Sequence, residues 1–348
     1  MRLPRNFRSI AGFPAPFVDT EFGGRVSVPL FSFPPNGQAL QVYLPIAELS
    51  VNLFFLIGIG GAVGFLSGLF GVGGGFLLTP LLIFSGVPSP VAVASVTGQV
   101  VAASTSGALS YYRRGMIDLH LALYLVLSGI LGAFIGVYIF SVLRAMGQLD
   151  LVISLGFVIL LGSVGSLMMT ESIRSILKRR AGIVVRREAN QHNWFHGLPM
   201  RIRFKKSKLY ISVLPVLVIG LVIGIVGSLL GIGGGFIMVP ALVYLLRVPG
   251  NVVIGTSLLQ VVAMMGATTI LHAVQSQSVD ILLAFCLMVG GTVGAQFGAS
   301  AGQYLRGEQL RALLAILILL VAIRFAAGLL IAPGDPFSTA VIGPGGVL

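Results

Sequence analysis

Long stretches of apolar residues alternate along the chain with short polar connections. Eight stretches reach roughly the 20 residues that an α-helix needs to cross the hydrocarbon core of a bilayer. Each predicts a transmembrane helix, so the fold class predicted is an all-α polytopic membrane protein. The eight candidate spans are Leu53–Phe70, Ala92–Leu109, Leu119–Leu143, Leu151–Met169, Tyr210–Leu230, Val252–Ala273, Ile281–Ala301 and Leu310–Ile331.

Two further apolar stretches, Phe76–Phe84 and Phe236–Leu246, are about half as long as a span. Each directly follows a run of three glycines. Such a stretch can form a half-span helix, a short tilted span or a re-entrant segment. The sequence leaves these alternatives open.

The sequence around the two short stretches is repeated. Residues Gly60–Pro80 align with Gly220–Pro240 at an offset of 160, and the hexapeptides GVGGGF and GIGGGF within them differ at one position. Further pairs match in the same order after one-residue shifts: Gln99 with Gln260, Asp118 with Asp280, Gly129 with Gly291, Gly132 with Gly294, and Gly136 with Gly298. The matches predict two homologous halves, each with a Gly-interrupted short or re-entrant helix.

The repeat and the charges divide the chain into five parts. They are an N-terminal arm (1–51), a first transmembrane repeat (52–170), a basic loop (171–208), a second transmembrane repeat (209–332) and a C-terminal tail (333–348). The arm is rich in proline, and its last residues, Tyr43–Asn52, fit either a short interfacial helix or a plain linker.

The charge distribution orients the predicted spans. Charged residues make up 9% of the chain, against ~25% in a typical soluble domain. The net charge is +12, and 11 of the 22 Lys and Arg residues lie between Arg174 and Lys208. A basic segment between apolar spans is typical of a cytoplasmic loop, where Lys205, Lys206 and Lys208 can contact anionic lipid headgroups. A nucleic-acid-binding face is disfavoured, because it needs basic residues on a soluble surface.

If each short stretch also crosses the membrane, each half has five crossings and the two halves are inverted. Arg113 and Arg114 then lie on the cytoplasmic side with the basic loop, while the loop around Ser276–Ser278 and the tail are external. Arg144 and the N-terminal arginines are the exceptions to the positive-inside rule.

The glycines serve two predicted purposes. Those spaced by four residues within spans, such as Gly60 and Gly64, favour close packing of helices. The triplets are different, because three consecutive glycines break a helix and leave backbone N–H groups at the start of the next one. Paired broken helices in inverted halves point to the substrate site of a secondary transporter, and free N–H groups favour an anion. The triplets are Gly73, Gly74, Gly75 and Gly233, Gly234, Gly235.

Polar side chains inside spans are costly and mark candidate site residues. Gln99 and Gln260 are equivalent in the two halves and offer neutral amide donors to an anion. Interhelical hydrogen bonding is the alternative role for these side chains and for the nearby hydroxyls. The hydroxyl-bearing candidates are Ser95, Thr97, Thr256 and Ser257.

Arg324 is the charged residue that lies deepest in a span. It can face the substrate path as a counter-charge, extend toward the external headgroups, or bond to backbone carbonyls. The equivalent position of the first half is Ser163, so any role of Arg324 in binding is asymmetric.

Other function classes lack the residues they need. Intramembrane hydrolysis or group transfer requires paired carboxylates, a metal-binding cluster or a nucleophile with its base, and the spans show none of these. The single cysteine, Cys286, cannot form an intrachain disulfide or a Cys-based zinc site. No metal or cofactor is therefore predicted. A passive anion channel stays open as an alternative, since it would share the glycines and the charge pattern.

Together these motifs resemble the TauE/SafE sulfite exporter family of membrane transporters. The resemblance is carried by the duplicated GxGGGF, the apolar span with Ser, Thr and Gln, and the turn Tyr111–Asp118, and it extends from about Leu53 to Leu330. It implies a bacterial inner-membrane permease that moves sulfite, organosulfonates or other small anions. The basic loop departs from the compact connection that many relatives have.

Overall fold

The structure is a computed structural model that describes residues 17–19, 25–27, 31–32, 41–70, 73–115, 117–180, 201–204, 209–242, 250–302 and 307–330. Eight of its helices are long and apolar enough to span a membrane, which confirms the predicted all-α polytopic class. The α-helices of these residues are α1 (Leu53–Phe70), α2 (Gly75–Phe84), α3 (Ser89–Arg113), α4 (Leu119–Ala145), α5 (Leu149–Arg180), α6 (Val213–Leu230), α7 (Gly235–Pro240), α8 (Gly250–Leu271), α9 (Ile281–Gly302) and α10 (Gly307–Leu330), and α8 is continued by a π-helical turn, His272–Ser276.

Short antiparallel strands lie outside the helices. They are β1 (Phe17–Asp19) with β2 (Arg25–Ser27), β3 (Phe31–Ser32) with β4 (Gln41–Leu44) and β5 (Leu49–Asn52), and β6 (Arg201–Phe204) with β7 (Leu209–Ser212).

The interfacial helix considered for Tyr43–Asn52 is wrong, because these residues form the β4–β5 hairpin. Val42 and Leu44 alternate with Tyr43 and are fully buried, which is the period of a strand and not of a helix. The Ile46 amide in the turn donates to the Asp280 carboxylate at 3.1 Å, so the hairpin is tied to the start of α9.

Two boundaries of the basic loop also differ from the prediction. Helix α5 continues to Arg180, so residues 171–180 are helical, while residues 181–200 and 205–208 lie outside the described part. Tyr210 belongs to β7 and not to a span; α6 begins at Val213, where the Ser212 hydroxyl accepts from the Leu214 amide at 3.3 Å as an N-cap.

The glycines spaced by four residues line two pairs of parallel helices, which confirms the packing interpretation. On α1, Gly60 faces the Leu287 carbonyl of α9, Gly64 faces Gly291 and Gly68 faces Ala295, all too close for a side chain. The same arrangement joins α6 to α4, where Gly224 faces Gly129 and Gly132. The first helix of each half therefore packs on the fourth helix of the other half.

Two other pairs of helices run antiparallel at the contact between the halves. In α3 and α8, Thr269 donates to Thr97 at 2.9 Å, and Gly107 lies against Leu258. In α5 and α10, Phe157 stacks on Phe325 with ring centroids 5.0 Å apart. When long and short helices are both counted, α3 and α8 are the third helices of their halves, and α5 and α10 are the fifth. Each of these helices therefore packs against its repeat equivalent.

Candidate functional site

The glycine triplets interrupt the helical backbone in both halves. In the first half Gly73 has φ +85°, Gly74 returns to φ −77°, and α2 begins at Gly75. In the second half Gly233 and Gly234 both have positive φ, +83° and +71°, before α7 begins. Positive φ is costly for residues with a side chain, so three of these backbone positions favour glycine.

The two breaks adjoin inside the protein. The buried rings of Phe76 and Phe236 stack with their centroids 4.9 Å apart and an interplanar angle of 14°. A Cβ atom on Gly75 would lie 2.6 Å from the Gly231 carbonyl oxygen, so the two segments contact each other there through their backbones. The Thr79 hydroxyl donates to the same carbonyl at 3.4 Å. The structure thus brings the predicted triplets together.

Gln99 lies against the first break, and its amide has no hydrogen-bond partner in the part of the chain that the structure describes. The side chain is fully buried, and neither Nε2 nor Oε1 makes a hydrogen bond with any described residue. Its Nε2 is 3.5 Å from the place where a Gly74 Cβ would be, and on its other side it lies against Gly291 of α9. A buried polar group without a partner costs about 1–3 kcal/mol, which suggests a ligand that satisfies it.

Gln260, the equivalent residue of the second half, is also fully buried but is partly satisfied. Its Nε2 donates to the thioether sulfur of Met264 at 3.3 Å, while its Oε1 has no partner among the described residues. It lies against Gly129 of α4, as Gln99 lies against Gly291. Both predicted glutamines therefore occupy the same structural position, with different local chemistry.

Ser104 joins this group, although the sequence did not single it out. Its hydroxyl is buried without a partner in the described structure, and it is the nearest atom to the Cβ position of Gly73, at 3.9 Å. Helix α3 contains several hydroxyl residues, and their spacing alone does not show which one meets a break.

The four hydroxyl candidates make internal hydrogen bonds. Ser95 accepts from the Asp280 amide at 2.9 Å, and its equivalent Thr256 accepts from the Asp118 amide at 3.3 Å. Thr97 donates to the Ala94 carbonyl and accepts from Thr269. The fourth residue, Ser257, donates to the Ile254 carbonyl at 3.0 Å. Ser95 and Thr256 thus fix the start of the fourth helix of the other half.

We expect Ser95→Ala to lower the free energy of unfolding by about 1–3 kcal/mol, because the buried Asp280 amide then lacks its acceptor. Thermal unfolding of the purified protein in detergent measures this loss. Ser166→Ala is the control, since Ser166 is exposed and its hydroxyl donates to the Ser163 carbonyl within its own helix turn. Equal stability of the two variants would show that the bond to Asp280 contributes nothing.

Arg324 lies apart from the buried amides. Its side chain is exposed on α10, and its guanidinium carbon is 5.1 Å from the centroid of the Phe84 ring. A cation over an aromatic face is favourable by itself and needs no substrate. The structure therefore does not bring Arg324 to the glycine breaks, and Arg324 is not part of the candidate site.

Comparison with known proteins gives a consistent set of similarities. Residues 56–325 match the family model described as Sulfite exporter TauE/SafE. The chain is 32% identical over 249 residues to a probable membrane transporter protein of Xylella fastidiosa (strain 9a5c), covering 71% of this chain and 84% of the relative. It is 28% identical over 265 residues to the probable membrane transporter protein YjnA of Bacillus subtilis (strain 168), covering 75% and 95%. No solved structure gives a significant match.

Proposed function

The chain belongs to the sulfite exporter TauE/SafE family and is a multi-pass membrane transporter, and from that membership we propose that it is a secondary transporter of a small anion. The proposed substrate is sulfite, an organosulfonate or a related sulfur-containing anion. It binds where the two glycine breaks adjoin.

The observation that carries the proposal is the buried Gln99 amide at the first break, for which the described residues offer no hydrogen-bond partner. Helix α2 begins beside it at Gly75, and no side chain of the described residues caps that end. Backbone N–H groups and the positive end of the helix dipole attract an anion there. The neutral amide adds a donor without a full charge, so binding stays weak enough for release.

The antiparallel pairs support an inverted relation between the halves. Equivalent helices that pack antiparallel, as α3 with α8 and α5 with α10 do, are expected when two homologous halves have opposite orientations. Inverted halves around a central site suit alternating access, in which one half moves against the other. This is the mechanism we propose for the transporter.

We also propose that the protein lies in the bacterial inner membrane, with the basic loop cytoplasmic and in contact with anionic headgroups. Arg144, an exception to the positive-inside rule, lies on the same side of the protein as the loop that we propose to be external. Its guanidinium donates to the Ser276 carbonyl at 2.6 Å and to the Ser278 hydroxyl, within the loop predicted to be external. A cation held by such bonds has a structural reason to lie outside.

Gly74→Ala tests the site by adding one methyl group. The backbone at Gly74 suits alanine, and the new Cβ meets neighbours only at 3.4 Å or more, one of them the Gln99 amide at 3.5 Å. We expect normal folding and at least a tenfold loss of saturable uptake in proteoliposomes. The assay measures uptake of sulfite, methanesulfonate, taurine, sulfate and small carboxylates. Each anion is tested over a range of concentrations, because the flux through a channel would not saturate.

Gly162→Ala serves as the control, since nothing lies within 4 Å of its Cβ position. Full uptake by a well-folded Gly74→Ala protein would place the substrate elsewhere. Wild-type protein that moves none of the anions would overturn the proposed substrate class.

A further inference from the structure

The two equivalent amides differ because one of them is covered by a methionine. Four residues after Gln260, Met264 reaches back with its sulfur 3.3 Å from Nε2. Four residues after Gln99 stands Ala103, which has no side chain long enough to do the same. An uncovered amide N–H group is therefore a property of the first half alone.

The same difference appears at the glycine breaks. In the first half the Cβ position of Gly74 is 3.5 Å from the Gln99 amide nitrogen. In the second half the Cβ position of Gly234 is 3.3 Å from the Met264 methyl group, which is also 3.0 Å from the Cβ position of Gly227. An amide thus lies against the first break, and the methyl group of a thioether lies against the second.

A second pair of equivalent residues extends the contrast. Ser104, whose hydroxyl near Gly73 has no partner within the described ranges, corresponds to Met265, whose methyl group is 3.3 Å from the Cβ position of Gly227. Both methionines are fully buried. The first half therefore offers hydrogen-bonding groups to its break, whereas in the second half the soft, apolar thioether of Met264 reaches the break and Met265 packs on α6 beside it.

We propose that Met264 is a specificity-determining residue: by covering Gln260, it leaves a site that solvates only one end of an anion. The proposal rests on the function proposed above and narrows its substrate. The anions that fit carry their oxygens on one side and a lone pair or an alkyl group on the other, as sulfite and short alkanesulfonates do. Sulfate directs oxygens to every side and would leave one of them against a thioether without a donor, which is costly.

The first test is Met264→Ala, with methanesulfonate and sulfate as probes in proteoliposomes. Removing the thioether exposes the Gln260 amide and makes room for another oxygen. We expect the ratio of sulfate to methanesulfonate uptake to rise at least tenfold over wild type. Met168→Ala is the matched control, because Met168 is partly buried on α5; its ratio should stay as in wild type.

The second test is the reverse change, Ala103→Met, which places a thioether four residues after Gln99. We expect it to cover that amide and to lower methanesulfonate uptake at least tenfold. Ala103 is only partly buried, so the folded protein can accommodate a longer side chain at this position. If Met264→Ala does not fold, this variant tests whether a methionine four residues after the glutamine blocks its amide.

The outcomes separate the two levels of the proposal. Wild-type protein that transports methanesulfonate, together with an unchanged uptake ratio in Met264→Ala, overturns the role of Met264 and leaves the proposed function standing. Unchanged uptake in Ala103→Met, when Gln99→Met has lost uptake, shows that a thioether at this position does not block an amide and likewise overturns only the role of Met264. Wild-type protein that transports neither probe overturns the proposed function, and the role of Met264 with it.

Discussion

Replacing Gln99 with methionine should reduce anion uptake between tenfold and a hundredfold without lowering the stability of the protein. A hydrogen bond to a charged ligand contributes about 1.5–3 kcal/mol, and each 1.4 kcal/mol corresponds to a factor of ten. Methionine has nearly the volume of glutamine, so it fits between Gly74 and Gly291 where the amide now lies.

Stability separates a ligand-binding amide from a structural one. In the described structure both polar atoms of Gln99 are buried without a partner, so methionine removes an unsatisfied group. We therefore expect the free energy of unfolding without substrate to stay the same or to rise by about 1 kcal/mol. Uptake in proteoliposomes and thermal unfolding in detergent are measured on the same preparation.

The control for Gln99→Met is Gln148→Met, at an exposed position in the turn between α4 and α5, which should leave both quantities unchanged. Normal uptake with reduced stability in Gln99→Met would contradict the proposal that the Gln99 amide binds the substrate. It would show that the amide holds helices together, as the sequence also allowed.

The sequence predicts the helices well, because a transmembrane helix is recognised from an apolar composition that is sustained over the length of a span. The first span was expected at Leu53–Phe70, and α1 has those bounds; the other spans differ by a few residues except at α5, which continues beyond its apolar part to Arg180. The short Tyr43–Asn52 segment was harder. In ten residues that include a proline, the pattern of apolar positions does not distinguish a period of 2 from a period of 3.6. Which positions of its strands are buried depends, in addition, on contacts with residues far along the chain.

The site was predictable in its backbone and less so in its side chains. The duplicated glycines identify both breaks. Ser95 and Gln99, however, are separated by one helical turn and look equivalent as candidates. Ser95 is satisfied by the Asp280 amide, 185 residues away, and Gln99 finds no partner among the residues that the structure describes. A single sequence shows which polar residues a helix carries and does not show which of them find partners in the other half.

Gly64→Ala should destabilise the protein more than the other substitutions considered, by at least about 3 kcal/mol. The new Cβ would lie 2.7 Å from the Gly291 Cα and 2.8 Å from its carbonyl carbon, inside the contact between α1 and α9. These are backbone atoms, and α1 is held on both sides of Gly64 by the close approaches of Gly60 and Gly68 to the same helix. The methyl group can be accommodated only by separating the two helices, which loses the packing that joins them in a bilayer.

Gly58→Ala is the matched control on the same helix, because nothing lies within 4 Å of its Cβ position. Alanine there should raise stability by about 0.5–1 kcal/mol through helix propensity. The monodisperse fraction that survives heating in detergent measures both variants. Gly224→Ala repeats the test in the second half, where the new Cβ would lie 2.9 Å from the Gly132 Cα. If Gly64→Ala and Gly224→Ala are as stable as Gly58→Ala, the glycines do not hold the halves together, and the close contacts of α1 with α9 and of α6 with α4 cannot be the joints around which the halves assemble.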